Sequence, residues 1–165
     1  MDTDFVITSL NNTYCQQIID IILTIQQTEF NLPVTLKHQP DLLDIETNYH
    51  QTGGNFWGAK INGQLVGTIG LIVTDGKIGT IRKMFVRKEY RGKEFGIAQA
   101  LLNKLIDHCK QNQIANVYLG TVEALKAAHR FYERNGFTRL DKSKLPASFP
   151  LMLTDTIFYQ LHLNN

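Results

Sequence analysis

The chain is short of cysteine, of surplus charge and of long apolar runs, and each shortage removes a class of protein. Its 165 residues include two cysteines, Cys15 and Cys109, which are far apart and match no metal or redox spacing. Lone cysteines of this kind suit packing positions in a reducing, cytoplasmic setting. The formal charge is only +2, well below the basic surplus of a general nucleic-acid binder. No apolar run approaches the roughly 20 residues that a membrane span needs, so neither nucleic acid nor membrane is an expected partner. Met1-Asp2-Thr3-Asp4 is acidic and does not read as a signal peptide. No repeat, low-complexity tract or linker interrupts the sequence. What remains is 43% hydrophobic and 19% charged, the balance of a folded soluble protein, and residues 1–165 suit one compact domain.

What is present centres on Tyr90-Arg91-Gly92-Lys93-Glu94-Phe95-Gly96-Ile97-Ala98-Gln99-Ala100-Leu101-Leu102. A basic, glycine-bearing turn opens directly into a helix. Ile97, Leu101, Leu102, Leu105, Ile106 and Cys109 recur at helical spacing and predict one buried face. A helix start offers unpaired N–H groups and the positive end of its dipole, and Arg91 and Lys93 add charge. A strand-like run, Ile78 to Val86, comes just before. Strand, basic glycine turn and helix form an arrangement that holds phosphate.

The rest of the chain reads as alternating elements. Phe5 to Leu10 predicts a strand. Asn11-Asn12-Thr13 caps a helix carrying Ile18, Ile19, Ile22 and Ile25. Thr28 to Pro40 is loop-like, and Asp41 to Gln51 predicts a second helix, ended by Gly53-Gly54. Asn62-Gly63 and Asp75-Gly76 are two-residue hairpin signals. They join Asn55–Ile61, Gln64–Thr74 and Lys77–Val86 into an antiparallel meander. After the helix that ends near Asn112 come a strand at Asn116–Gly120 and a helix at Glu123–Asn135 with Gly136 as its cap. A strand at Phe137–Leu140, an irregular stretch at Leu145–Pro150 and a last strand at Thr154–Leu163 follow. The order β-α-α-β-β-β-α-β-α-β-β predicts an α/β domain with a central sheet.

Two segments together resemble the GNAT superfamily, the acetyl-CoA-dependent N-acetyltransferases. Lys93-Glu94-Phe95-Gly96-Ile97-Ala98 fits the family pattern Gln/Arg-x-x-Gly-x-Gly/Ala, with Lys at its first position and Arg91-Gly92 as lead-in. Ala124 to Phe137 is similar to the family's Asn-x-x-Ala-x-x-x-Tyr-x-x-x-Gly-Phe helix. Ala128, Tyr132, Gly136 and Phe137 match, while Leu125 stands where Asn is usual. The resemblance implies a mixed, mostly antiparallel sheet flanked by helices, with acetyl-CoA as co-substrate. It also implies that Met84, Phe85 and Val86 meet the pantetheine arm and that residues 91–98 hold the pyrophosphate. Leu125 and Ala128 would border the cofactor. Tyr132 matches the family's general acid.

Acetyl transfer to an amine needs a gripped donor, a polarised carbonyl and a route for protons. A tyrosine pKa near 10 against a thiol near 8.5 makes full proton donation to a thiolate uphill by roughly 2 kcal/mol. A hydrogen bond from the phenol still stabilises the charge that develops on sulfur. The strand Ile78 to Lys83 lacks a carboxylate, so the base is open: Glu29, Glu123, His129, Asp155 or a water. Glu94 is expected to point to solvent. For the acceptor, Glu29, Phe30, Trp57, Phe149 and Asp155 are candidates, suiting a small-molecule or peptide amine. Arg82 and Lys83 favour instead an acceptor that carries a carboxylate. A CoA-binding regulatory module without acetyl transfer is the competing expectation, and a monomer or a homodimer fits either.

Overall fold

The computed structural model describes residues 4–152 and 154–163. Strands β1 (Val6–Ser9), β2 (Asn55–Ile61), β3 (Gln64–Thr74), β4 (Ile78–Val86), β5 (Asn116–Thr121), β6 (Thr138–Leu140) and β7 (Ile157–His162) form one sheet. Their spatial order is β1-β2-β3-β4-β5-β7-β6. Every neighbouring pair is antiparallel except β4 and β5. The meander β2-β3-β4 turns at Asn62-Gly63 and Asp75-Gly76, and all four residues have positive φ. That is the backbone twist a two-residue hairpin requires.

Helices α1 (Cys15–Leu23), α2 (Ile45–Asn48), α3 (Ile97–Gln111) and α4 (Lys126–Arg134) complete the chain. Alternation along the strands sorts the core into two layers. Trp57, Ala59, Ile69 and Leu71 join Ile97, Leu101, Leu105 and Tyr132 from α3 and α4. Phe56 and Leu65 join Ile18, Ile21 and Ile22 of α1 and Ile45 of α2. Cys109 lies in the first layer, where burial pushes its thiol up to about 12. Among the described residues no helix is long and apolar enough to cross a membrane.

Several boundaries differ from the sequence expectation. The first helix does not stop at Thr28. It widens into a π turn over Thr24–Glu29, closed by the Phe30 N–H on the Ile25 carbonyl at 3.0 Å. The expected helix at Asp41–Gln51 is broken. Asp44 leaves helical backbone (φ −148°, ψ 84°) and its carboxylate caps the Thr47 N–H at 3.0 Å. An aspartate that bonds its own backbone competes with helix continuation, so α2 keeps only four residues between two short turns. Helix α4 starts at Lys126 rather than Glu123, and β7 at Ile157 rather than Thr154.

The feature that positions the site is a defect in β4. Arg82 pairs with Gly70 and Phe85 with Thr68, so Lys83 and Met84 together stand opposite Ile69. Lys83 takes up the extra residue at φ 58°. Such a bulge bends a strand and ends regular pairing. Accordingly β4 and β5 pair only from Ile78–Thr80 to Asn116–Tyr118. Beyond Thr80 the two strands part.

Candidate active site

The parted strands enclose a cavity of about 100 Å³. Its walls are Ile81–Phe85 of β4, Leu119–Thr121 of β5, and Leu125, Ala128 and Tyr132 along α4 and the residue before it. Gln26, Leu32 and Val34 after α1 close one side, and Met152, Thr154 and Asp155 before β7 close another. Met84, Phe85, Leu125, Ala128, Tyr132 and Asp155, all expected from sequence, therefore converge. Val86 is buried at the strand end and lies outside the lining.

Tyr132 is 6% exposed, its ring held against Phe137 and Tyr159. Among the described residues its hydroxyl donates only to the Met84 thioether, at 3.5 Å. Sulfur of this kind is a weak acceptor, so the O–H has no strong partner to give up. Burial, reinforced by Asp155 and Tyr159, raises the phenol far above its ordinary value, and the group stays a neutral donor.

Of the four side chains considered as base, three are committed elsewhere. Glu29 receives a bidentate pair from the Arg91 guanidinium. Glu123 is exposed and held by Lys126 at 3.0 Å. His129 is buried with Nε2 on the Val122 carbonyl at 2.9 Å. These positions follow from α4 starting late, which leaves Val122 and Glu123 in the turn that His129 and Lys126 close over. Asp155 alone lines the cavity. It lodges over Gly120, where a Cβ would meet its Oδ2 at 2.5 Å. Burial raises its carboxyl, while Arg82 and Lys83 pull it back down.

Three residues expected at the acceptor lie outside the cavity. Trp57 is 3% exposed and lies edge-on to His108 of α3, because its place in β2 turns it to the α3 layer. Phe30 lies under the Arg91 guanidinium, 5.7 Å from ring centre to Cζ. Phe149 is buried against Phe158. None of the three lines the cavity.

Two cations do line it. Arg82 donates from Nη1 to the Pro150 carbonyl at 2.8 Å. Lys83 is 7% exposed and donates from Nζ to Gln39 Oε1 at 2.6 Å. Burial lowers its ammonium to about 8, against an upward pull from Asp41. Gln26, Gln39 and the Lys83 bulge were missed from sequence. None of the three carries a local signal; the adjacent cations Arg82 and Lys83, the only charges in β4, pointed to this wall alone.

The loop before α3 is also narrower than expected. Arg91 turns inward, with Nε on the Val86 carbonyl at 2.8 Å and the rest of its guanidinium on Glu29. The Arg91 N–H goes to the Lys88 carbonyl, and those of Phe95 and Gly96 to Gly92. Among the described residues the N–H groups of Gly92, Lys93 and Glu94 have no acceptor. Those of Ile97, Ala98 and Gln99 open the helix and are unpaired by its geometry. Gly92 (φ 116°) and Gly96 (φ 70°) make this turn. Glu94 is exposed, as expected, but its carboxylate folds back to within 2.8 Å of where a Gly92 Cβ would stand.

The sequence model of the acetyltransferase (GNAT) family matches residues 19–137. An acetyltransferase of the GNAT family from Staphylococcus aureus Mu50, known by crystal structure, is 41% identical. The match covers 98% of this chain and 100% of that one, with a TM-score of 0.94. N-acetylaspartate synthetase of Danio rerio is 38% identical over 106 residues, 63% of this chain and 37% of its own length. The chain thus spans less than half the length of the N-acetylaspartate synthetases it matches. PaiA N-acetyltransferase of Thermoplasma acidophilum, solved in complex with coenzyme A, shares the fold at 16% identity and a TM-score of 0.72, covering 96% of this chain and 99% of its own.

Proposed function

The chain belongs to the GNAT acetyltransferase family, and from that premise we propose that it moves an acetyl group from acetyl-CoA to a primary amine by direct attack on the thioester. The observation that carries this reading is the gap between β4 and β5, lined by Tyr132, whose hydroxyl has only a thioether for partner among the described residues. The coenzyme A bound by the PaiA protein supports the same donor here. The relatives named for N-acetylaspartate support a small amino-acid acceptor over a peptide.

The residues present fit the donor. Six N–H groups, Gly92 to Glu94 and Ile97 to Gln99, are without an acceptor among the described residues at the positive end of α3. They suit the pyrophosphate, and Lys93 adds charge. The edge of β4 beyond Thr80 lacks a strand partner on its β5 side. Its backbone groups around Met84 suit the amides of the pantetheine arm, and a neighbouring N–H polarises the thioester carbonyl. In the transfer, nitrogen bonds to the carbonyl carbon and the carbon–sulfur bond breaks. The amine proton leaves through Asp155 or a water beside it. Tyr132 donates a hydrogen bond to the departing sulfur, which becomes the free thiol by taking up the proton that the amine released through Asp155 or water.

The competing reading is a module that binds CoA and transfers nothing, favoured by Leu125 where the family has Asn. Tyr132→Phe separates the two. Loss of the hydroxyl should lower kcat about 100-fold, as removal of a hydrogen-bond donor aimed at developing charge does, while CoA affinity by calorimetry stays within about twofold. Thiol release that is absent in the wild type across a broad amine panel, with CoA bound, would instead establish the module.

A further inference from the structure

We propose that the acceptor is a zwitterionic amine, an amino acid whose carboxylate is held by Lys83 and whose amine faces Asp155. This rests on the acetyl-transfer reading and names its acceptor class.

Lys83 is an expensive residue to keep where it is. It has the left-handed backbone that a non-glycine residue rarely adopts. Its ammonium is almost fully buried, which lysine tolerates only when paired. Yet the pairing is incomplete. Among the described residues Gln39 Oε1 at 2.6 Å is its only strong acceptor. The Met152 thioether at 3.9 Å is weak, and the Asp41 carboxylate stands off at 4.0 Å. Asp41 is already engaged by the Tyr49 hydroxyl at 2.5 Å. An ammonium has three protons to donate, so capacity remains at the cavity wall.

The direction of that ammonium is fixed by a device with no other evident use. Gln26 and Gln39 exchange side-chain hydrogen bonds at 3.1 and 2.8 Å, both residues buried. The exchange points the Gln39 carbonyl oxygen at Lys83. Arg82, next in the strand, contributes a buried Nε with no partner among the described residues. Asp155 occupies the other wall, held over Gly120. Leu32, Val34 and Leu119 line the same cavity.

Two cations on one wall and a carboxylate on the other match a small molecule with a carboxylate at one end and an amine at the other. A polyamine would set a second ammonium against Lys83 and Arg82. An amine without a carboxylate would leave Lys83 as it stands, short of an acceptor, and gain nothing from it.

The test uses the full chain, acetyl-CoA and thiol detection, with aspartate and glutamate, their amides lacking the α-carboxylate, and spermidine. Free amino acids should exceed their amides in kcat/KM by about 100-fold, since a site built for a polar group rejects an analogue that lacks it. Lys83→Met should erase that preference by raising the KM for the free amino acids far more than the KM for their amides. Equal losses on free acids and amides would make Lys83 merely structural and overturn the proposal. So would a wild-type preference for spermidine. CoA binding without transfer to any acceptor overturns the acetyl-transfer reading itself, and this proposal with it.

Discussion

Lys83 shows at the scale of one residue how function and stability pull apart. Its neighbours include Asp41 beside α2, Arg82 on β4 and Asp155 before β7, so charges of both signs reach it. Burial nevertheless dominates and lowers the ammonium from 10.5 to about 8. Between those values the unfolded chain holds a proton that the native state has released. Stability from this group therefore rises with pH from about 8 to about 10.5 and is flat below that window. Lys83→Met should remove the rise. At pH 7 it should also stabilise the fold by about 1–2 kcal/mol, the penalty of the buried charge less the lost Gln39 hydrogen bond. Urea titrations at pH 7 and 9.5 measure both. A variant less stable than wild type at pH 7 would mean that the Asp41 attraction outweighs burial.

At the scale of elements, the legible parts were those set by local chemistry. Asn62-Gly63 and Asp75-Gly76 specify hairpins through their tolerance of positive φ, and α3 announces itself by apolar period and glycine start. The illegible parts depend on distant partners. Nothing near Lys83 in sequence signals that β4 will bulge against Ile69. Nothing near Trp57 tells which face of β2 meets α3. Arg91 reads as a phosphate ligand until the π turn brings Glu29 beneath it. The loop into α3 can be probed at Gly96, where a Cβ would meet nothing within 4 Å, so any penalty comes from its φ of 70° alone. Gly96→Ala should cost about 1 kcal/mol, the usual handicap of an L-residue in that region. It should also raise the acetyl-CoA KM severalfold by disturbing the row of N–H groups, with the acceptor KM unchanged. Steady-state kinetics with each substrate varied decide this. An unchanged acetyl-CoA KM would remove the loop from the donor site.

Taken whole, the molecule is one sheet in two halves, β1-β2-β3-β4 and β5-β7-β6, joined by a short parallel contact. The order of elements was readable from the chain, but the split was not, because it arises from one residue's backbone and the pairing it prevents. A donor lying in the gap would touch both halves: β4 and the α3 loop on one side, β5 and α4 on the other. It would supply hydrogen-bond partners that β4 lacks past Thr80 and that the α3 loop lacks at Gly92–Glu94. Binding to the native state alone stabilises by mass action, about 2.7 kcal/mol at a hundredfold excess over Kd. For a chain of this size that is a Tm rise of roughly 5–10 °C. Hydrogen exchange should locate the effect, because amides gain protection where they gain acceptors or lose local opening. Slowing is expected in Met84–Val86 and in Gly92–Gln99, with little local change in β1, which lies at the far edge of the sheet. Slowing confined to β1 and β2, or a Tm rise with no change at Met84–Val86, would place the donor elsewhere and leave the parted strands without their role.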